Sequence, residues 1–120
     1  MATYAGKENH LFLVPIRVKP GPAGKMPEDW IGALVPCYAA APDHFDAVRL
    51  SLEKLEAAGY VFEELINDEV HEIDALRWNE HLAAVWLEDS DHLPSQADLL
   101  RFVQSGGVFF GPIYGWDSET

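Results

Sequence analysis

Five histidines are spread over a chain of 120 residues, and two of them fall in one carboxylate-rich stretch. There His71-Glu72-Ile73-Asp74 is followed by Glu80-His81. On a single helix, His71, Asp74, Trp78 and His81 recur at i, i+3, i+7 and i+10 and share one face. Neutral imidazole and carboxylate at that spacing suit zinc or iron. His92, next to Asp89 and Asp91, adds a ligand only if the chain folds back on itself. The HExxH pattern of zinc proteases is absent, because no second histidine stands where it is needed. His71, Asp74, His81 and His92, with Trp78 as a wall, define an enzyme alternative that binds a metal or a small ligand. Nothing else in the sequence implies a cofactor.

Other chemistries are thinner. Cys37 lies in the apolar run Val35-Pro36-Cys37-Tyr38, where burial raises a thiol pKa and leaves a poor nucleophile. Ser90, Ser95 and Ser105 sit in turn or cap contexts, and no Gly-x-Ser-x-Gly elbow exists. Gly21-Pro-Ala-Gly24-Lys25 has the look of a phosphate loop, but Met26 stands where Ser or Thr is required. The carboxylate pairs Glu63-Glu64, Asp68-Glu69 and Asp89/Asp91 flank turns and exposed helix faces rather than a cleft, so they read as solvated surface.

Charge is the more informative property. The chain has 8 bases against 20 acids, a formal charge of −12. That excludes nucleic-acid binding, which needs a surplus of Lys and Arg, and binding to anionic membranes. The charge is uneven. Residues 1–27 hold Lys7, Arg17, Lys19 and Lys25 against Glu8, whereas Glu63 to Asp98 hold 11 acids against Arg77 alone. Such a field draws in a basic partner and speeds its association. The leading expectation is therefore a non-enzymatic protein-binding or regulatory domain, of the kind that neutralises a basic enzyme as an inhibitor or immunity protein. The expected contacts are Glu63, Glu64, Asp68, Glu69, Glu88, Asp89 and Asp91. Trp116, near the C-terminus and hard to place in a core, is added as an aromatic anchor. A third expectation is a homodimer subunit without independent activity. It rests on the apolar segment Val108–Trp116, which must pair in the sheet or across a dimer.

The elements that position these residues follow from periodicity. Phe12, Val14, Ile16 and Val18 alternate onto one face of a strand from His10 to Lys19, with Leu11 and Leu13 opposite. That strand is expected to be covered on both sides early and half-exposed later, where Arg17 and Lys19 follow. Trp30 to Ala41 is a second strand, apolar on both faces. Pro15 and Pro36 cannot donate ladder hydrogen bonds, which predicts edge positions or bulges. Asp43 caps a helix whose stripe is Phe45, Val48, Leu52 and Leu55, ended by Gly59. Tyr60 to Ile66 is a third strand and Ile73 to Leu87 a helix or two short ones. Ser95-Gln-Ala-Asp98 opens another helix in the manner of a capping box, and Val108 to Tyr114 is the last strand. Trp86 and Phe109 read as core.

The order β-β-α-β-α-α-β implies one α+β domain over residues 1–120, with a mixed four-stranded sheet and the helices packed on one face. Residues 1–9 and 115–120 are expected to fray, and 20–29 to form a Pro/Gly-rich loop. One cysteine allows no internal disulfide, which favours a reducing, cytoplasmic setting.

Overall fold

The computed structural model describes residues 8–21, 30–86, 88 and 92–117. Two long strands, β1 (His10–Pro20) and β2 (Trp30–Ala41), form an antiparallel pair at the centre of the sheet. Their register is unbroken from His10 opposite Ala41 to Val18 opposite Ala33. Helix α1 (His44–Ala57) leads to β3 (Tyr60–Leu65), a 3₁₀ turn (Ile66–Asp68) and β4 (His71–Ile73). A second 3₁₀ turn (Ala75–Arg77), α2 (Trp78–Val85) and α3 (Gln96–Ser105) precede β5 (Gly107–Phe110) and β6 (Tyr114–Asp117). The fold is α+β, with six strands rather than four among the described residues, and every pairing among them is antiparallel rather than mixed.

The two prolines explain the count. Pro15 stands directly opposite Pro36 in the central pair. Neither carries an N–H, so they can face each other only where no ladder bond joins them. Their missing donors therefore point outward, toward the flanking lanes. On one side β4 pairs β1 from Leu11 to Leu13 and β3 pairs it from Ile16 to Pro20, leaving Pro15 in the gap. On the other side β5 pairs β2 from Cys37 to Ala40 and β6 from Trp30 to Leu34, leaving Pro36 in the gap. Four lanes thus become six strands. Neither proline marks an edge strand or a bulge in the central pair. The outer lanes break instead, at Asn67 and Asp68, both with positive φ, and at Gly111-Pro112.

The helices lie on both faces, which corrects the one-face expectation. Phe12, Val14, Ile16 and Val18 join Ala33, Val35, Cys37 and Ala39 under Ala47 and Leu55 of α1. Leu11 and Tyr38 form the opposite core with Trp78, Leu82 and Trp86 at α2 and Leu99 of α3. A central pair that is apolar on both sides needs a cover on each. In α1 the Asp43 side chain accepts from the Asp46 N–H, as expected for an N-cap. The buried line, however, is Ala47, Ser51 and Leu55, and Phe45 points outward.

Both expected frayed ends are partly held. Residues 1–7 and 118–120 lie outside the described residues, as do 22–29 of the loop. Asn9 Nδ2 donates to the Val103 carbonyl at 2.9 Å, tying the start of β1 to α3. Residues 115–117 pair with β2 instead of fraying. Trp116 lies over Gly32, where a Cβ would come within 2.8 Å of its ring, and Trp30 packs against Gly115 in the same way. Two glycines thus make room for two tryptophans across one strand pair.

Candidate functional site

The helix needed by the metal reading does not form. His71 is in β4, opposite Leu13, and Ile73 pairs with Leu11. Burying Ile73 against the sheet outweighs continuing a helix through it. Asp74 then caps the turn, its side chain accepting from the Leu76 N–H at 3.0 Å. Gln96 joins the two sides of this region, donating to the Ala75 carbonyl and accepting from the Asn79 N–H. His71 is left beside Glu69, 3.8 Å away and exposed. His92 is exposed, and His81 points to the core on α2. The expectation of one His/Asp face is therefore corrected, and among the described residues no three His, Cys, Asp or Glu side chains gather as a metal site would require.

His81 belongs instead to a hydrogen-bonded chain. Trp86 Nε1 donates to the Tyr38 hydroxyl, and that hydroxyl lies 2.7 Å from His81 Nε2. Indole can only donate, so Tyr38 accepts from Trp86, and its one proton is free to be donated to His81 Nε2. In that arrangement the imidazole is neutral, with its own proton on Nδ1. Burial lowers the His81 pKa below its ordinary value and pushes Tyr38 up to about 12, which favours the same uncharged pair. Trp78 stacks on His81 with centroids 5.2 Å apart, and its Nε1 donates to the Pro94 carbonyl. The cluster locks α2 to β2. Cys37, on the other face, is buried and pushed up to about 12, so it stays a thiol.

The acidic residues divide between places. Glu64 pairs with Arg17 at 2.9 Å, and Glu63 faces Lys19 at 3.7 Å. These acids are answered by the basic N-terminal segment. Asp68 and Glu69 lie where the β3–β4 lane turns. Glu88 is exposed, two residues beyond Trp86 at the end of α2. Asp89 and Asp91 lie outside the described residues. Trp116 is half-buried over Gly32 with the Arg17 guanidinium 5.6 Å from its ring centroid, so part of it is spent on the fold.

An open groove of about 740 Å³ runs between α1 and the β3–β4 lane. Phe12, Phe45, Val48, Leu52, Leu65 and Val70 supply its apolar wall, Asp68 and Glu72 stand on its rim, and His44 and Arg49 of α1 line it as well, Arg49 being paired with Asp46 and Glu53. Phe45 is 74% exposed there, unusual for so large an apolar ring. Glu72 also borders a second groove of about 950 Å³, between the start of β1 and α3, with Glu8, Asp74 and the exposed Leu76. His10 Nδ1 lies 3.3 Å from Glu72 across that mouth. Neither groove is legible in the sequence, where Phe45 fits a core stripe and Val70 lies outside every expected strand and helix. Among the described residues β3 and β4 have strand neighbours on one side only, and no helix is long and apolar enough to cross a membrane. The fold and grooves define a small α+β domain with an apolar edge groove, bordered by Asp68 and Glu72 on one side and by His44 and Arg49 on the other. Comparisons with known protein families, with curated proteins and with solved structures returned no match.

Proposed function

We propose that this protein is a non-catalytic binding domain that captures a basic, amphipathic partner along its β3–β4 edge, in the manner of an inhibitor or immunity protein. The observation that carries the reading is the groove beside α1, where exposed Phe45 and half-buried Val48 and Val70 meet the carboxylates Asp68 and Glu72. An apolar floor gives such a site affinity, and an acidic rim gives orientation and a fast encounter. Of the acids first expected to bind, Asp68 and Glu69 are on this edge, while Glu63 and Glu64 spend part of their charge on Lys19 and Arg17. A reducing cytoplasmic setting agrees with the single buried thiol of Cys37.

The test begins with affinity purification from the native cell and mass identification of what is retained. A basic protein recovered one-to-one is then titrated against the wild type, Phe45→Ser and Asp68→Lys. The reading expects each variant to weaken binding by at least about tenfold, or roughly 1.4 kcal/mol. It also expects affinity to fall as salt is raised to ~0.5 M, because exposed charges are screened. Binding indifferent to both variants and to salt overturns it.

A further inference from the structure

A different surface is left open on the face that carries α2 and α3. Those helices cover its first half, over Leu11 and Tyr38. Beyond Pro15 and Pro36 the same face continues with Arg17 on β1, Leu34 on β2, Val61 and Glu64 on β3, and Tyr114 and Trp116 on β6. Leu34 and Trp116 are half-buried, and Val61 and Tyr114 are 45% and 52% exposed. On the opposite face the facing positions of β1 and β2 are sealed. A sheet face that carries apolar side chains is stable when a second layer covers it, and among the described residues none covers this half.

Charge indicates the occupant. Arg17 and Lys19 lie here against Glu64 and Glu63, two cations and two anions on a chain of net charge −12. Two copies of so acidic a chain repel each other over most of their surface, but not where the charge is locally balanced. A strongly basic partner has little to gain at the same place. We propose that this half-face is a homodimer contact, packed on the same half-face of a second copy about a two-fold axis. Such a contact is self-complementary, each residue meeting its counterpart's neighbours, and the two sheets lie about 10 Å apart. Leu34, Val61, Tyr114 and Trp116 supply the apolar centre, and the Arg17–Glu64 pairs lie beside it. The inference is independent of the groove beside α1, which stays open in the dimer.

Sedimentation velocity of the full chain, from low micromolar to near-millimolar concentration, provides the test. The expected result is a concentration-dependent shift to twice the chain mass. Val61→Asp and Tyr114→Asp each raise the dimer dissociation constant at least about tenfold, as central interface positions do, while Phe45→Asp leaves it unchanged. Far-UV circular dichroism and thermal melts of dilute samples separate lost contact from lost fold: Val61→Asp should match the wild type, and Tyr114→Asp, which gives up its stacking on Trp86, is compared at a temperature where its monomer is still folded. A chain that stays monomeric at the highest concentration overturns the proposal. So does a dimer that survives both patch variants, or one abolished by Phe45→Asp.

Discussion

The two faces of the sheet share the same central strands yet are finished differently. One is covered by α1 together with side chains such as Trp30, Tyr60 and Phe110, so that Val14, Ile16, Val18, Ala33 and Val35 have no exposed surface. The other is sealed over Leu11 and Tyr38 by aromatic packing from α2 and α3. It then opens into a half-face where Arg17 keeps 43% of its side chain in solvent. The sealed face is held mainly by close packing, with small residues such as Ala47 and Ser51 letting α1 approach. The covered half of the second face is held by directed hydrogen bonds through Tyr38. Stability should therefore concentrate on the first face and on the Tyr38 cluster, while the open half-face remains available for contact.

The sharpest way to break that contrast is a pair of truncations. Ile16→Ala on the sealed face should cost about 2–5 kcal/mol, as large-to-small changes in a packed core do. Leu34→Ala on the open half should cost less than about half of that, because solvent already reaches the site. Chemical denaturation of dilute, monomeric protein measures both, and equal losses would mean that the open half is packed after all.

Next in size is Tyr38→Phe. It leaves Trp86 Nε1 buried without an acceptor and should cost about 1–3 kcal/mol. Near-UV circular dichroism should report loosened tryptophans, and an unchanged melting curve would show that the hydrogen-bond chain contributes nothing.

The third effect depends on pH. Burial depresses the His81 pKa in the folded chain below its ordinary value of 6.5. The unfolded chain then binds the proton first as pH falls. His81's contribution is therefore fully present above pH 6.5 and is lost as the pH drops through the lower folded value. His81→Gln keeps an acceptor for Tyr38 and removes the titration. The wild type should lose more stability than the variant between neutral pH and moderately acid pH. Parallel acid limbs would contradict the buried neutral assignment.

The smallest effect is expected on the open half itself. Arg17→Met removes the pair with Glu64 and the approach to Trp116, and should change monomer stability by no more than about 1 kcal/mol, as for other solvent-exposed pairs. A larger loss in dilute thermal melts would make Arg17 part of the core.

Much of this contrast is legible in residue order. The alternation of Phe12, Val14, Ile16 and Val18 marks the sealed face. The change from Leu11 and Leu13 to Arg17 and Lys19 marks the point where the second face opens. Caps at Asp43 and Ser95 are equally plain, since each is a contact within three residues. The β4 strand is not legible. Ile73 stands three residues before Leu76, a helical spacing, and only its pairing with Leu11 makes it part of a strand. The groove beside α1 is hidden for a similar reason. Phe45 fits the apolar stripe of its helix and is turned outward because Ala47, Ser51 and Leu55 pack more closely on the sheet.

By itself the sequence determined the two long strands, the caps, the α+β class and the excess of acid that any partner must answer. It also placed two prolines in otherwise ideal strands. Tertiary structure alone decided that they stand opposite one another, 21 residues apart in sequence, and so divide both outer lanes. It also decided that His81 meets Tyr38 rather than His71, and that Trp116 meets Gly32. Periodicity and capping act over a few neighbouring residues, so they can be read along the chain. Register, by contrast, is fixed by long-range pairing, which depends on how all the apolar faces are buried together.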